Sequence, residues 1–263
     1  MTGKGFRRSL SIKNIPEGII KLRELISNNN EKTNLTKIID VVTDINVLKQ
    51  ALINYYTNMI KPWDSEYSIH EHIDELGEEY FEKLRKDIRT GTFQFKKSYL
   101  QPHMLKNKKN METGIVLESI KMVLEEIYEK TFSETSHGNR LDKSFHYHSA
   151  FNFIRINFVG VAWVIEGNMN ELFKNYDQKK IITILKERIN DQVFIDLIYK
   201  AIRSGFIDIN KNFQNTLNPS AKGAYESSSV GIYEILTPII SNILLDGFDK
   251  YLTRRSMVGL RPR

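Results

Sequence analysis

"IVLESIKMVLEEIYEKTFSETSHGNR", Ile115–Arg140, joins two patterns in one stretch. The first half repeats apolar residues at helical spacing, with Ile120, Val123, Leu124, Ile127 and Tyr128 on one face. It predicts an amphipathic helix. From Ser133 the chain turns polar, and "SETSHGNRLDKS" reads as a loop.

Toward the N-terminus, "LKNKKNMETG" reads as a basic turn, and "TFQFKKSYLQPH" alternates aromatic and polar residues as a strand does. "HEHIDELGEEYFEKLRKDIRTG" has helical spacing and ends at Gly91, a helix-terminating residue type. "DINVLKQALINYYTNMI" continues helically from Asp44, an N-cap candidate. Helices are expected over 14–60, with "SNNNEKTN" as a polar break. Toward the C-terminus, "FHYHSAFNFIRINF" is helical and "AWVIEGNMNELF" reads as a buried strand carrying Asn168 at its end. "DQKKIITILKERIND" and "QVFIDLIYKAIRSGF" predict two helices, and "GIYEILTPIISNILLDGFDKYL" enters another near Pro238.

Composition bounds the function. The formal charge is +6 over 263 residues, which favours polyanionic partners, nucleic acid above all. No run approaches the ~18 consecutive apolar residues of a membrane span, so no membrane partner is expected. With no cysteine, thiolate metal sites and cysteine nucleophiles are excluded. The chain has 33 Ile, 25 Lys and 22 Asn but 6 Ala, a bias toward AT-rich codons that points to an AT-rich genome, such as that of an organelle or an AT-rich microbe.

Cations cluster where aromatics interleave. Lys83, Arg85, Lys86, Arg89, Lys96, Lys97, Lys106, Lys108 and Lys109 lie near Phe93, Phe95 and Tyr99. Lysine and arginine suit phosphate contacts, and exposed aromatic rings suit base stacking. The alternative is a solvated helix face followed by a core strand. Arg140 and Lys143 in the polar loop, Arg7 and Arg8 in the basic N-terminal arm, and Arg254 and Arg255 near the C-terminus complete the candidate RNA-binding set. The pairs His70/His72 and His146/His148 lack an evident third ligand, so no metal site or cofactor is expected.

Several phrases, in collinear order from about residue 45 to 252, resemble the reverse-transcriptase domain of group II intron-encoded proteins, the maturases of organelles and bacteria. "EEIYEKTFSETSHGNR" is similar to that family's "IYEPxFSxxSHGFRPGRSCHTAL", keeping Ser136, His137, Gly138 and Arg140. "AWVIEGNMNELFKNYDQKKI" resembles "WVIEGDIxxFFDxIDHxxL", and "LTPIISNILLDGFDKYL" resembles "ISPLLANIYLxxLDxxL". The resemblance implies an α+β, helix-rich fold of fingers and partial palm. It implies an arm with helices at 1–44, a degenerate core at 45–252 and a basic tail at 253–263. It also implies that the cationic segments grip RNA and that His137 orders its loop by hydrogen bonding.

Departures from the family pattern carry the functional expectation. The family's polymerases hold two magnesium ions with three carboxylates, and Asn168 stands at the first of them. A neutral amide anchors magnesium poorly. "GIY" at Gly231–Tyr233 replaces the family's Pro-Gln-Gly turn, and no "YADD" hairpin or thumb follows in this sequence. The expectation is a non-catalytic RNA-binding protein of an organellar ribonucleoprotein, such as the mitochondrial ribosome. Its partners are then rRNA or intron RNA, with protein covering the incomplete palm. One alternative is a fragment of a split group II intron maturase that works with a second chain. Another is a protein-only structural subunit.

Overall fold

The computed structural model describes residues 15–28, 34–59, 66–95, 108–142, 144–164, 178–206 and 233–259. Its helices are α1 (Glu17–Asn28), α2 (Ile38–Val42), α3 (Ile45–Met59), α4 (Glu66–Arg89), α5 (Lys108–Tyr128), α6 (Tyr147–Asn157), α7 (Gln178–Lys186), α8 (Gln192–Ala201) and α9 (Tyr233–Gly259). The stretch Ile115–Arg140 supplies the centre, because α5 packs against α1, α2, α3 and α9. Ile115 through Ile120 are all buried, Glu118 and Ser119 included. This corrects the expectation of a one-faced amphipathic helix: neighbours on several sides leave that segment no solvent face. The helix also starts earlier than expected, within the basic stretch read as a turn.

Burial has an electrostatic consequence on α5. Lys121 Nζ lies 3.6 Å from the Glu118 carboxylate and 3.9 Å from that of Glu125. Burial pushes the Glu125 carboxyl up to about 7, and Lys121 opposes the shift. A raised carboxyl pKa stabilises the fold below the unfolded value of about 4.5, and that contribution is lost as pH rises through about 7. Glu125→Gln is therefore expected to raise stability at pH 8 by about 1–2 kcal/mol, below the ~3 kcal/mol linkage ceiling. Near pH 4.5 the difference should vanish. Urea denaturation at the two pH values checks this, and equal midpoint shifts at both would refute it.

Helix α3 presents Val47, Leu48, Ala51, Leu52 and Tyr55, spaced to one stripe and all buried. Asp44 caps it, its carboxylate accepting from the N–H groups of Asn46 at 3.0 Å and Val47 at 3.2 Å, as its sequence position predicts. Helix α4 is kinked at Gly77, whose φ of 69° and ψ of 169° leave helical space, and ends at Gly91 in the left-handed region. Ile19, Leu22, Leu35, Ile38 and Val42 share the core cluster of α3 and α5, so the core is continuous across position 44.

A backbone clasp ties the N-terminal helices to α8. The Leu35 N–H donates to Arg188 O, and the Asn190 N–H donates to Leu35 O, both at 2.8 Å. Asp191 then caps two helices at once, accepting from Phe194 N–H at 3.1 Å and Ile39 N–H at 2.8 Å.

Helix-rich architecture is as expected, but strands are not seen among the described residues. They hold one isolated parallel bridge, Leu35 to Ile189. Residues 92–95 and 161–164 have no regular structure, and the rest of both expected strands lies outside the described residues. Helix α9 starts at Tyr233, ahead of the expected entry near Pro238, and accommodates that proline within its second turn. It continues through Gly259, so the basic segment from residue 253 begins as helix rather than as a tail. Among the described residues no helix is long and apolar enough to cross a membrane.

Candidate nucleic-acid interface

Helical spacing divides the charges of α4 between two faces. Glu75, Glu79, Lys83 and Asp87 recur on one, and with Glu112 of α5 they line a groove of about 390 Å³. Lys83 is exposed but sits among four carboxylates, an environment unfavourable to phosphate. The other face carries Glu82, Arg85, Lys86 and Arg89. Arg85 pairs with Glu82 at 3.3 Å. Arg89 donates to Asp40 at 2.6 Å and to Thr43 Oγ1 at 2.9 Å, fastening α4 to the end of α2. Lys86 is exposed and enters no ion pair among the described residues. Of the four α4 cations predicted from sequence, Lys86 is thus the best placed for a polyanion.

Two further cations lie at the end of α8 and just after it. Lys200 Nζ, on α8, donates to Gly91 O and so offsets the negative end of the α4 dipole. Arg203 follows in a wider π-type turn, Ile202–Phe206, exposed and 5.7 Å from the Tyr199 ring centroid. Sequence reading missed the Lys200 contact because it joins residues 109 positions apart. Phe93 is buried and meets Phe95 edge-on at 5.0 Å, so this pair belongs to the core and not to a stacking surface.

The polar loop after α5 is tightly organised. Arg140 Nε donates to Glu129 Oε1 at 2.8 Å, and its Nη atoms donate to the carbonyls of Ser133, Ser136 and Glu129, each at 3.1 Å. Its guanidinium lies 4.1 Å from the Phe145 ring centroid and 5.2 Å from that of Phe132. With a side chain 5% exposed, Arg140 holds the loop together. Four of its five N–H donors are engaged within the loop, which gives it a structural role there. His137 Nδ1 lies 2.9 Å from Ser149 Oγ, the loop-ordering bond expected of it. Ser149 in turn forms a capping box with His146 at the start of α6. Asn242 of α9 donates to Gly138 O at 2.8 Å, docking the loop on that helix.

Arg254 is exposed on α9. Arg7, Arg8, Lys96, Lys97, Lys106, Lys143 and Asn168 lie outside the described residues, as do the side chains of Lys108, Lys109 and Arg255. His72 is 3.6 Å from Glu75, and the rings of His146 and His148 stand 5.6 Å apart. Among the described residues no group of three potential ligands is arranged to hold a metal ion.

No family model matches the chain. A COX1/OXI3 intron 2 protein of Saccharomyces cerevisiae is 32% identical over 89% of this chain and 27% of its own length. Group II intron-encoded protein LtrA of Lactococcus lactis subsp. cremoris is 28% identical over 79% of this chain and 33% of its own length. Nuclear intron maturase 3, mitochondrial, of Arabidopsis thaliana is 28% identical over 73% of this chain and 24% of its own length. The chain therefore spans a third or less of the length of these relatives.

Proposed function

The chain is a homologue of group II intron-encoded maturase and reverse-transcriptase-like proteins, and from that premise we propose that it is an RNA-gripping part of an intron maturase in an organelle. It acts together with further polypeptide and contributes no polymerase chemistry of its own. The observation that carries this reading is the match over 89% of the chain to an intron protein. Exposed Lys86, Arg203 and Arg254 support it as phosphate contacts. The ribosomal role expected from sequence draws no support from these relatives, whose names are those of intron proteins and a maturase.

Loss of polymerase chemistry rests on Asn168, where the family pattern has a metal-binding aspartate, and on Gly231–Tyr233 in place of Pro-Gln-Gly. Magnesium-dependent primer extension by the purified chain would overturn that part of the reading.

RNA contact is tested by salt. Affinity for a group II intron RNA should fall steeply between about 50 and 200 mM salt. Lys86→Glu and Arg254→Glu should each weaken binding several-fold and reduce the log–log salt slope by about 1–2, whereas Lys83→Glu should change little. Sequencing the RNA that copurifies with the chain should return intron RNA. Salt-independent binding, or enrichment of rRNA over introns, would sink the proposal.

A further inference from the structure

The clasp that ties the N-terminal helices to α8 also shapes a cleft of about 310 Å³. Asn34, Lys186, Asn190 and Gln192 give it a polar lining, and its apolar members Ile189 and Ile195 are buried. Asn34, Lys186 and Asn190 are exposed, and their side chains enter no hydrogen bond or ion pair among the described residues. Asp191 is the one carboxylate of the described lining. Its two oxygens are turned to the backbone N–H groups of Phe194 and Ile39. Lys37 stands two residues beyond the bridged Leu35, exposed, with a φ of 58°. That left-handed conformation is unfavourable for a residue with a Cβ and suits glycine better. The Leu35 ladder bonds on one side and the Ile39–Asp191 bond on the other hold the lysine in it.

We propose that this cleft binds one unpaired nucleotide of an RNA strand, with Lys186 and Lys37 on its phosphates and the amides of Asn34 and Asn190 on the edge of its base. The inference rests on the RNA-binding part of the maturase reading and adds a site that neither Lys86 nor Arg254 lines. Each amide offers both donors and an acceptor, the combination that a base edge matches. Such edges are open to side chains where RNA is single-stranded. The volume is at the lower end for ligand clefts, which admits a nucleotide and excludes a duplex. No aromatic residue is in the described lining, so recognition is by hydrogen bonds and not by sequence-tolerant stacking. An acidic peptide fits less well, because carboxylates only accept and leave the amide oxygens unmatched. A lysine held where glycine would be less strained is accounted for by a demand for its charge.

Fluorescence anisotropy tests the site on the full chain, with a short single-stranded RNA alone and paired to its complement. The single strand should bind more tightly than the duplex. Lys186→Glu should weaken single-strand binding at least about fivefold and lower the log–log salt slope by about 1–2. Asn190→Ala should weaken binding of the single strand and leave the duplex unchanged. Lys37→Gly should weaken binding several-fold while its urea midpoint equals or exceeds that of the parent chain, since glycine relieves the left-handed φ. A lowered midpoint with unchanged affinity would make Lys37 structural and overturn its part. Parental affinity in both Lys186→Glu and Asn190→Ala would overturn the site. So would adenosine monophosphate binding as tightly as the RNA, which marks a free-nucleotide pocket, or displacement of the RNA by polyglutamate as effectively as by RNA. If Lys86→Glu loses RNA while the cleft variants do not, the cleft fails and the maturase reading stands. If the cleft variants lose RNA but the copurified RNA lacks introns, the maturase reading fails and the cleft stands.

Discussion

Arg140→Ala is expected to destabilise the fold by about 3–5 kcal/mol, the range for removing one partner of a buried ion pair. The guanidinium engages one carboxylate and three backbone carbonyls and lies against two aromatic rings. Alanine would strand those carbonyls and leave Glu129, 14% exposed, without its cation. Glu129 keeps the N–H groups of Leu141 and Asp142 as donors at 2.9 and 3.3 Å, which argues for the lower half of the range. Arg140→Lys should recover less than half of the loss, because one ammonium cannot reproduce a planar fork reaching acceptors on several sides. Urea denaturation measures the stability change, and limited proteolysis between Ser133 and His146 reports loop opening. A loss below about 1 kcal/mol would mean that the guanidinium does not support the loop, and Arg140 would again be a candidate RNA contact.

Gly114→Ala should cost about 3 kcal/mol, at the upper end of ordinary overpacking. A Cβ at position 114 would stand 2.3, 2.5 and 2.7 Å from three ring atoms of Tyr55. That ring is fully buried between α3 and α5 and has no open space to enter, so the helices must part. The intrinsic gain of alanine over glycine in a helix, about 1 kcal/mol, offsets only part of this. A double-mutant cycle isolates the cause. In a Tyr55→Ala background the clash is gone, and Gly114→Ala should become neutral or stabilising. If the two substitutions are additive, the α3–α5 contact is not what this glycine serves.

The chain's order of motifs identifies its relatives more reliably than its charge does. The phrase from Glu125 to Arg140 and its collinear companions resemble intron-encoded proteins, and the relatives are of that kind. A ribosomal partner rests on missing chemistry, which cannot name an RNA. The basic run from Lys83 to Lys109 shows cations in abundance, yet cation type says nothing of pairing. Arg89 meets Asp40, 49 residues away, and Lys83 faces carboxylates from two helices. Lys86, with the same charge and three positions further on, stands clear of ion pairs among the described residues.

What the sequence determined by itself is local. Asp44 caps α3 and Gly91 ends α4, because caps and left-handed terminators act within a few residues of themselves. Apolar periodicity likewise located α3, α4 and α5 without reference to the rest of the chain. Tertiary structure decided which faces were lost from water. It enclosed the middle of α5 completely, engaged the donors of Arg140 in its own loop, and left Phe151 and Trp163 exposed. Burial and ion pairing depend on which helices meet. That choice is a sum over contacts as distant as Asp191 with Ile39, 152 residues apart, and no short window of sequence contains it.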